Sequence, residues 1–532
     1  IFGLAGVLRD AGCEVKIVHG DLEEPGLAGA LDPLALDAVG LDLHWLNQSL
    51  TVLETAAMLK QRNPRLFIFL GGFTASYFAM EIIRDHPQVD AVIRGDAELP
   101  AAQLCQALHA GHGLAQVANL VWRDPAGKVV SNEFSYVAGA EDLEFLDFAC
   151  FELLHHADLY LKRSIYWTHV APANFAPLNF SPMLLLEVGR GCQNRCLFCG
   201  GSCSAQQLIN HRQAQVWRSP QSAMATIAKA VKQHGYRTIF TDFEFPDAEE
   251  WYLELFALIR ESGLELDYAY SSWRLVSPRL IQALSATFRR AWIQFSPETA
   301  DEALRDRNKG GNGYNNAELE AALTEVASTE NVTAQLYFGY FLAGDSAAAV
   351  NATLDYILQL LTRFQEKLGI AYLPFSTDPG SELQRHPDRH QVTMEPANFA
   401  EYLACLRREY RNPGGVGRQQ PDLRLFRPLS LGLEEARALE ERIELLNLAF
   451  AIHRPTLSRL LRQAGGAERL SESLRRATGG SGIEAAGRLV SAAIGAGHEQ
   501  QLQQELARYR LARPGFSARP MLWLQSNAME NG

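Results

Sequence analysis

Short apolar runs alternate with single amphipathic helices in two separate series, and no other feature constrains the fold as strongly. In the first hundred residues "EVKIV", "AVGLDLHW", "LFIFLGG" and "AVIRG" read as strands. Between and beside them "GLAGVLRDAG", "SLTVLETAAMLKQRN", "SYFAMEIIRDH" and "LPAAQLCQALHAG" read as helices, the second with Ser49 as its N-cap. Strands joined through single helices cannot turn back as hairpins, so they predict an α/β, flavodoxin- or Rossmann-like parallel sheet with helices on both faces. Ligands of such sheets sit at the carboxyl ends of the strands. Those ends here are residues 44–49, 71–76 and 94–98.

The second series begins at residue 183 with "LLLEV", "RTIFTDF", "LDYAYSS", "AWIQFS", "TAQLYFGYFL" and "IAYLPFS". Six β/α units predict a partial (β/α)6 barrel with its chemistry at the strand ends. Ser219 as N-cap, Pro220 at the first helical position and Gly235 as the stop delimit one of its helices. "LVWRDPAGKVV" reads as a hairpin turning at residues 124–127. The expected organisation is an α/β domain over 1–138, a surface linker over 139–180, the barrel over 181–388 and a purely helical region over 389–525. The last residues, 526–532, "SNAMENG", read as a vector-derived or misplaced tail.

At 532 residues the chain is too long for one core, in keeping with several domains. The net charge of −12, with basic residues dispersed, argues against nucleic acid as a partner. No run approaches the roughly 18 apolar residues of a membrane span. Eight cysteines without a secretory signal predict a reducing, cytoplasmic setting.

Four of those cysteines fall in "RGCQNRCLFCGGSC", spaced Cys192-x3-Cys196-x2-Cys199-x3-Cys203. Soft thiolates select iron–sulfur clusters or zinc. Structural zinc prefers paired C-x2-C knuckles from two places, and Cys13, Cys105, Cys150 and Cys405 are isolated in sequence. A cluster is favoured over zinc on spacing. Three thiolates on four irons would leave one iron open, and the loop directly follows the strand "LLLEV".

"EVGRGCQNRCLFCGGS" resembles the C-x3-C-x2-C motif of radical S-adenosylmethionine (SAM) enzymes, with Phe198 as the aromatic before the third cysteine. The resemblance implies a [4Fe-4S] cluster on Cys192, Cys196 and Cys199, with SAM on the open iron. It implies SAM contacts at Phe198, at Asp242 and Glu244 of "TDFEF", at Ser272 and Arg274, and at Glu298 with Arg307 or Lys309 nearby. "YFLAGDS" and "TDPGSEL" match the fifth and sixth strand ends, with turns at Gly344 and at Pro379 and Gly380.

The stretch from "AVGLDLHW" to "VIRGDAE" resembles the cobalamin-binding domain attached to one group of these enzymes. Ser49 falls near the expected nucleotide tail, and Gly71 and Gly72 permit close approach of a flat ligand. Phe73, Thr74, Arg94 and Gly95 complete the implied cobalamin contacts. The sequence opens within the first helix, after the place where the family carries Asp-x-His-x-x-Gly. Many radical SAM relatives lack that His, which leaves the lower cobalt face to loop residues, with His44, Trp45, Leu46 and Asn47 as candidates. The resemblance runs from about Ile1 to Gly380.

The whole is similar to cobalamin-dependent (class B) radical SAM methyltransferases. That resemblance implies methylation of an unactivated carbon of a small, natural-product-like molecule, through methylcobalamin and a 5′-deoxyadenosyl radical, fed by an external flavodoxin- or ferredoxin-like reductant. No residue is assigned as catalytic beyond the cofactor ligands. A rearrangement or cyclisation with the same cofactors, a radical SAM enzyme without cobalamin, and a four-cysteine electron-transfer or scaffold protein using Cys203 remain open alternatives.

Overall fold

Two sheets, one mixed and one parallel, organise the chain, each built largely on β-branched, aromatic and leucine runs. The computed structural model describes residues 1–20, 35–162, 183–242, 247–311, 313–364, 367–375, 377–410 and 426–432, with scattered residues up to 469. In the first sheet β1 (Ala38–Asp42), β2 (Phe67–Gly71) and β3 (Ala91–Ile93) are parallel, in that order. The hairpin β4 (Leu120–Arg123) and β5 (Val129–Ser131) extends it antiparallel. Its turn is held by Asp124 Oδ1, which accepts the amides of Ala126 at 2.9 Å and Lys128 at 2.8 Å. Ile68, Leu70, Ala56, Leu59, Ile82 and Ile83 form a fully buried core between sheet and helices.

The second sheet runs β6 (Met183–Leu185), β9 (Thr238–Thr241), β10 (Asp267–Ser272), β11 (Arg290–Glu298), β12 (Val332–Tyr340) and β13 (Leu368–Pro374), all parallel and in chain order. A two-residue antiparallel pair, β7 (Gly189–Arg190) with β8 (Val216–Trp217), lies between β6 and β9 in the chain. The helices are delimited by local chemistry. Ser219 Oγ accepts the Ser222 amide at 3.1 Å, Pro220 opens the helix Pro220–His234, and Gly235 ends it at φ +74°. The pair Ser277 and Pro278 repeats the device on the helix Pro278–Thr287. Alternation sorts each strand into two faces. Ala291, Ile293 and Phe295 pack against the helices, so Trp292, Gln294 and Ser296 face the barrel interior.

Five local expectations are corrected. Residues 14–18 form no sheet strand, only a bridge from Ile17 to Leu154, because their partner continues from the 3-10 turn Phe151–Leu153. Ser49 is not an N-cap. A 3-10 turn, Leu46–Gln48, feeds straight into the helix Ser49–Arg62, and Ser49 Oγ donates back to the Leu46 carbonyl at 2.7 Å. The helix expected over 76–86 is two helices, Phe73–Tyr77 and Ala79–Asp85, broken at Phe78, whose ring packs on Phe399 and Tyr402. Residues 139–162 do not simply cross the surface: Leu143, Ala149 and Phe151 are buried. The region after 389 is not purely helical. β14 (Val392–Met394) pairs antiparallel with β15 (Phe426–Pro428), and the helix Phe399–Tyr410 docks onto the first sheet's core. Residues 163–182 and nearly all beyond 432, including the tail, lie outside the described residues.

Candidate active site

The cysteine loop is stitched to the far side of the barrel mouth by backbone hydrogen bonds. Leu197 N–H donates to the Asn308 carbonyl at 2.9 Å, after β11, and Asp378 N–H donates to the Phe198 carbonyl at 3.0 Å, after β13. Gly200 N–H donates to Asp378 Oδ2 at 3.0 Å. A Cβ on Gly200 would lie 2.7 Å from the Asp378 Cβ, so glycine is required by close approach. Gly310 backs the loop similarly, since its Cβ would meet the Arg195 carbonyl at 2.5 Å. Within the loop, Asn194 N–H donates to Cys192 Sγ and Gly201 N–H to Cys199 Sγ, both at 3.3 Å. Cys203 begins the helix Cys203–Ile209, one residue past its cap Ser202, and its Sγ accepts from Gln207 at 3.7 Å.

Behind Cys196 sits a buried acid–base pair. Glu298 ends β11 past a register shift, at φ +63°, and is 5% exposed. Lys309 reaches it at 3.4 Å and donates to the Ser296 carbonyl at 2.7 Å. Burial pushes the Glu298 carboxyl up, and Lys309 pulls against that shift. Burial also pushes the Cys196 thiol up to about 12, with Lys309 opposing. Of the two basic residues expected beside Glu298, Lys309 is the partner. Arg307 is exposed, beside Gly344.

The remaining barrel positions divide. Asp242, at the end of β9, has its carboxyl pushed up to about 6 by the surrounding protein and then by Glu187. Glu244 lies outside the described residues. Ser272 is buried and spends its hydroxyl on the Arg274 carbonyl at 2.8 Å, while the Arg274 side chain is exposed. Phe198 packs edge-on against Phe375, centroids 4.2 Å apart.

The first sheet's strand ends form an open shelf. Gly72, at φ +104°, lets the turn pass so close that a Cβ would lie 2.7 Å from the Leu43 and His44 backbone. A Cβ on Gly71 would meet nothing within 4 Å. His44 stands edge-on to Trp45 at 4.6 Å and Phe73 at 4.9 Å. Burial lowers its basicity, with Asp42 partly offsetting, so the ring is neutral at pH 7. Trp45 is 54% exposed, unusual for a tryptophan, and does not pack the core. Asn47 Oδ1 is buried without a partner. Leu46 and Ser49 are core residues, and Thr74 donates to the His44 carbonyl at 2.9 Å. Arg94 turns away: its guanidinium donates to the carbonyls of Asn119 and Asn132. Gly95, at φ +68°, donates its amide to Ser76 Oγ at 3.0 Å.

A charged joint ties the two mouths together. Arg190, two residues before Cys192, pairs with Glu98 at 2.6 Å and Asp96 at 2.9 Å, just beyond β3. Arg212 holds the other Asp96 oxygen at 2.5 Å. Burial pushes the Glu98 carboxyl up, but Arg190 brings it below the usual range on balance.

Residues 1–105 match the B12 binding domain family and residues 186–333 the Radical SAM superfamily. The chain thus carries a B12 binding domain and a Radical SAM domain. Its family cofactors are cobalamin, a [4Fe-4S] cluster and SAM. It is 26% identical over 199 residues to the hopanoid C-3 methylase of Methylococcus capsulatus, covering 37% of this chain and 34% of that protein. It is 25% identical over 246 residues to the anaerobic magnesium-protoporphyrin IX monomethyl ester cyclase of Rubrivivax gelatinosus, covering 43% and 38%. The chain thus spans well under half the length of these two curated relatives. The radical SAM methyltransferase TsrM of Kitasatospora setae, solved with tryptophan and a SAM analogue, superposes with a TM-score of 0.58 at 12% identity, over 82% of this chain and 85% of that one.

In the B12 binding and Radical SAM domains the residues fit their cofactors. Among the described residues no three Cys, His, Asp or Glu side chains converge on a single metal ion. A cluster does not ask for that, because each thiolate takes a different iron. The amides on Cys192 and Cys199 are placed to donate to cluster-bound sulfur. The shelf over Gly71, with Trp45 exposed and the Asn47 oxygen unpartnered, suits a large flat ligand with amide groups. Sequence reading assigned no role to Glu187, Asp378, Arg190 or Gln335, although the first three lie inside the quoted stretches "EVGRGCQNRCLFCGGS" and "TDPGSEL".

Proposed function

We propose that the chain methylates an unactivated carbon of a small molecule held between the two mouths. When bound, cobalamin supplies the methyl group and SAM on the cluster supplies the carbon radical. Cys192, Cys196 and Cys199 hold the cluster. Asp242 and the Glu298–Lys309 pair orient SAM's charged end, and the shelf from His44 to Thr74 seats the corrin. The observation that carries the reading is the Arg190 joint, which fixes the cysteine loop against the strand end bearing Asp96 and Glu98. An external one-electron reductant of flavodoxin or ferredoxin type feeds the cluster.

The test is incubation with SAM carrying a deuterated methyl group, cobalamin and a chemical reductant, across candidate substrates. Label in the product supports methylation. Deoxyadenosine without transferred label favours the second reading, a cyclisation or rearrangement, which the likeness to the Rubrivivax cyclase keeps in view.

A further inference from the structure

The barrel interior carries a belt of polar side chains at one level, deeper than the cysteine loop. Ser271, Gln294, Gln335 and Gly369 lie side by side across β10 to β13. Tyr270 is level with Thr241, and Leu185 with Phe240, so Asp242 and Glu187 continue the belt past the ends of β9 and β6. Ala334 and Leu336 pack against the helices, which turns Gln335 inward. Gln335 is fully buried, and neither its amide nitrogen nor its oxygen has a partner. Gln294 beside it is half-buried, and Gly369 on the other side adds no side chain. Trp292 and Phe240, one inward step lower, form an apolar floor.

An orphaned buried carboxamide is destabilising, because it has given up its water without gaining a partner. It is tolerated where a ligand supplies the missing bonds. A carboxamide offers a donor and an acceptor side by side in one plane, the pattern that pairs with a lactam, imide or N-heterocycle edge. Gln335 lies three residues deeper than Phe338, the partner of Glu298, which is about 10 Å along a strand. It is thus below the Glu298–Lys309 pair and level with Asp242.

We infer that Gln335, with Gln294, forms a substrate subsite that recognises a planar amide, lactam or N-heterocycle edge inside the barrel. This rests on the reading of the barrel as the site of radical chemistry. SAM's own adenine has the same edge chemistry, so the test separates the two sources.

Uracil is titrated into the full-length, cluster-loaded protein, with toluene as the control lacking a polar edge. Gln335→Leu is expected to weaken uracil at least tenfold, leave SAM affinity within twofold, and raise the melting temperature of the ligand-free protein. Gln294→Leu, at a partly exposed side chain, is expected to weaken uracil about threefold, and carries the test if Gln335→Leu does not fold. Unchanged uracil affinity in both variants overturns the subsite. Lost SAM affinity gives the edge to adenine and overturns the substrate assignment. A lower melting temperature gives Gln335 a structural role and overturns it too. If the wild type cleaves no SAM yet binds uracil through Gln335, the functional reading fails while the subsite stands.

Discussion

The two sheets present their strand ends in opposite ways. At the barrel mouth several polar groups are buried and tied across: Glu298 to Lys309, Asp378 to Gly200, Asn308 to Leu197. At the first sheet the strand ends are open, with Trp45 and Asp42 exposed and free space above Gly71. Identical β/α logic thus yields a locked site and an open one. A small cluster needs fixed thiolates, whereas a corrin needs a shelf it can reach. The Arg190 joint connects the two.

The contrast yields predictions that fall in size from the locked side to the open one. Cys196→Ala should reduce SAM cleavage to background, measured as deoxyadenosine. Arg190→Ala leaves Glu98 buried without its cation and should cost about 3–5 kcal/mol in denaturant unfolding, the range for breaking a buried pair. A loss under 1 kcal/mol would mean that the joint does not bind the mouths together. Trp45→Ala should weaken cobalamin about tenfold by titration, yet change stability by no more than about 0.5 kcal/mol, because an exposed ring holds no core. Asp242, at about 6, loses its charge as pH falls through that value. SAM affinity should therefore fall below pH 6, about tenfold per unit in the limit, and Asp242→Asn should flatten that limb. Cys203→Ala should change neither cluster content nor SAM cleavage measurably.

The locked and open sites also differ in how legible they were. All six barrel strands and the three parallel strands of the first sheet stand out as apolar runs, and the almost wholly buried β9, β10, β11 and β12 leave little room for polar residues. Cys192, Cys196 and Cys199 are singled out by the resemblance of their local motif to that of radical SAM enzymes. Pairings across the fold are not. Arg190 finds Asp96 and Glu98 far back in the chain, and Glu298 meets Lys309 rather than Arg307. Gln335 looks like any polar strand residue until the pleat turns it inward. The segment 14–18 has strand composition but meets only a turn, so tertiary context overrides propensity there.

The central claim is that three cysteines hold a four-iron cluster facing a corrin on the neighbouring sheet. Elemental analysis of the anaerobically reconstituted, full-length protein tests it most directly. The account predicts four irons and one cobalt per chain in the wild type and in Cys203→Ala, and cobalt without iron in Cys196→Ala. Zinc in place of iron, loss of iron in Cys203→Ala, or no bound cobalt would contradict it.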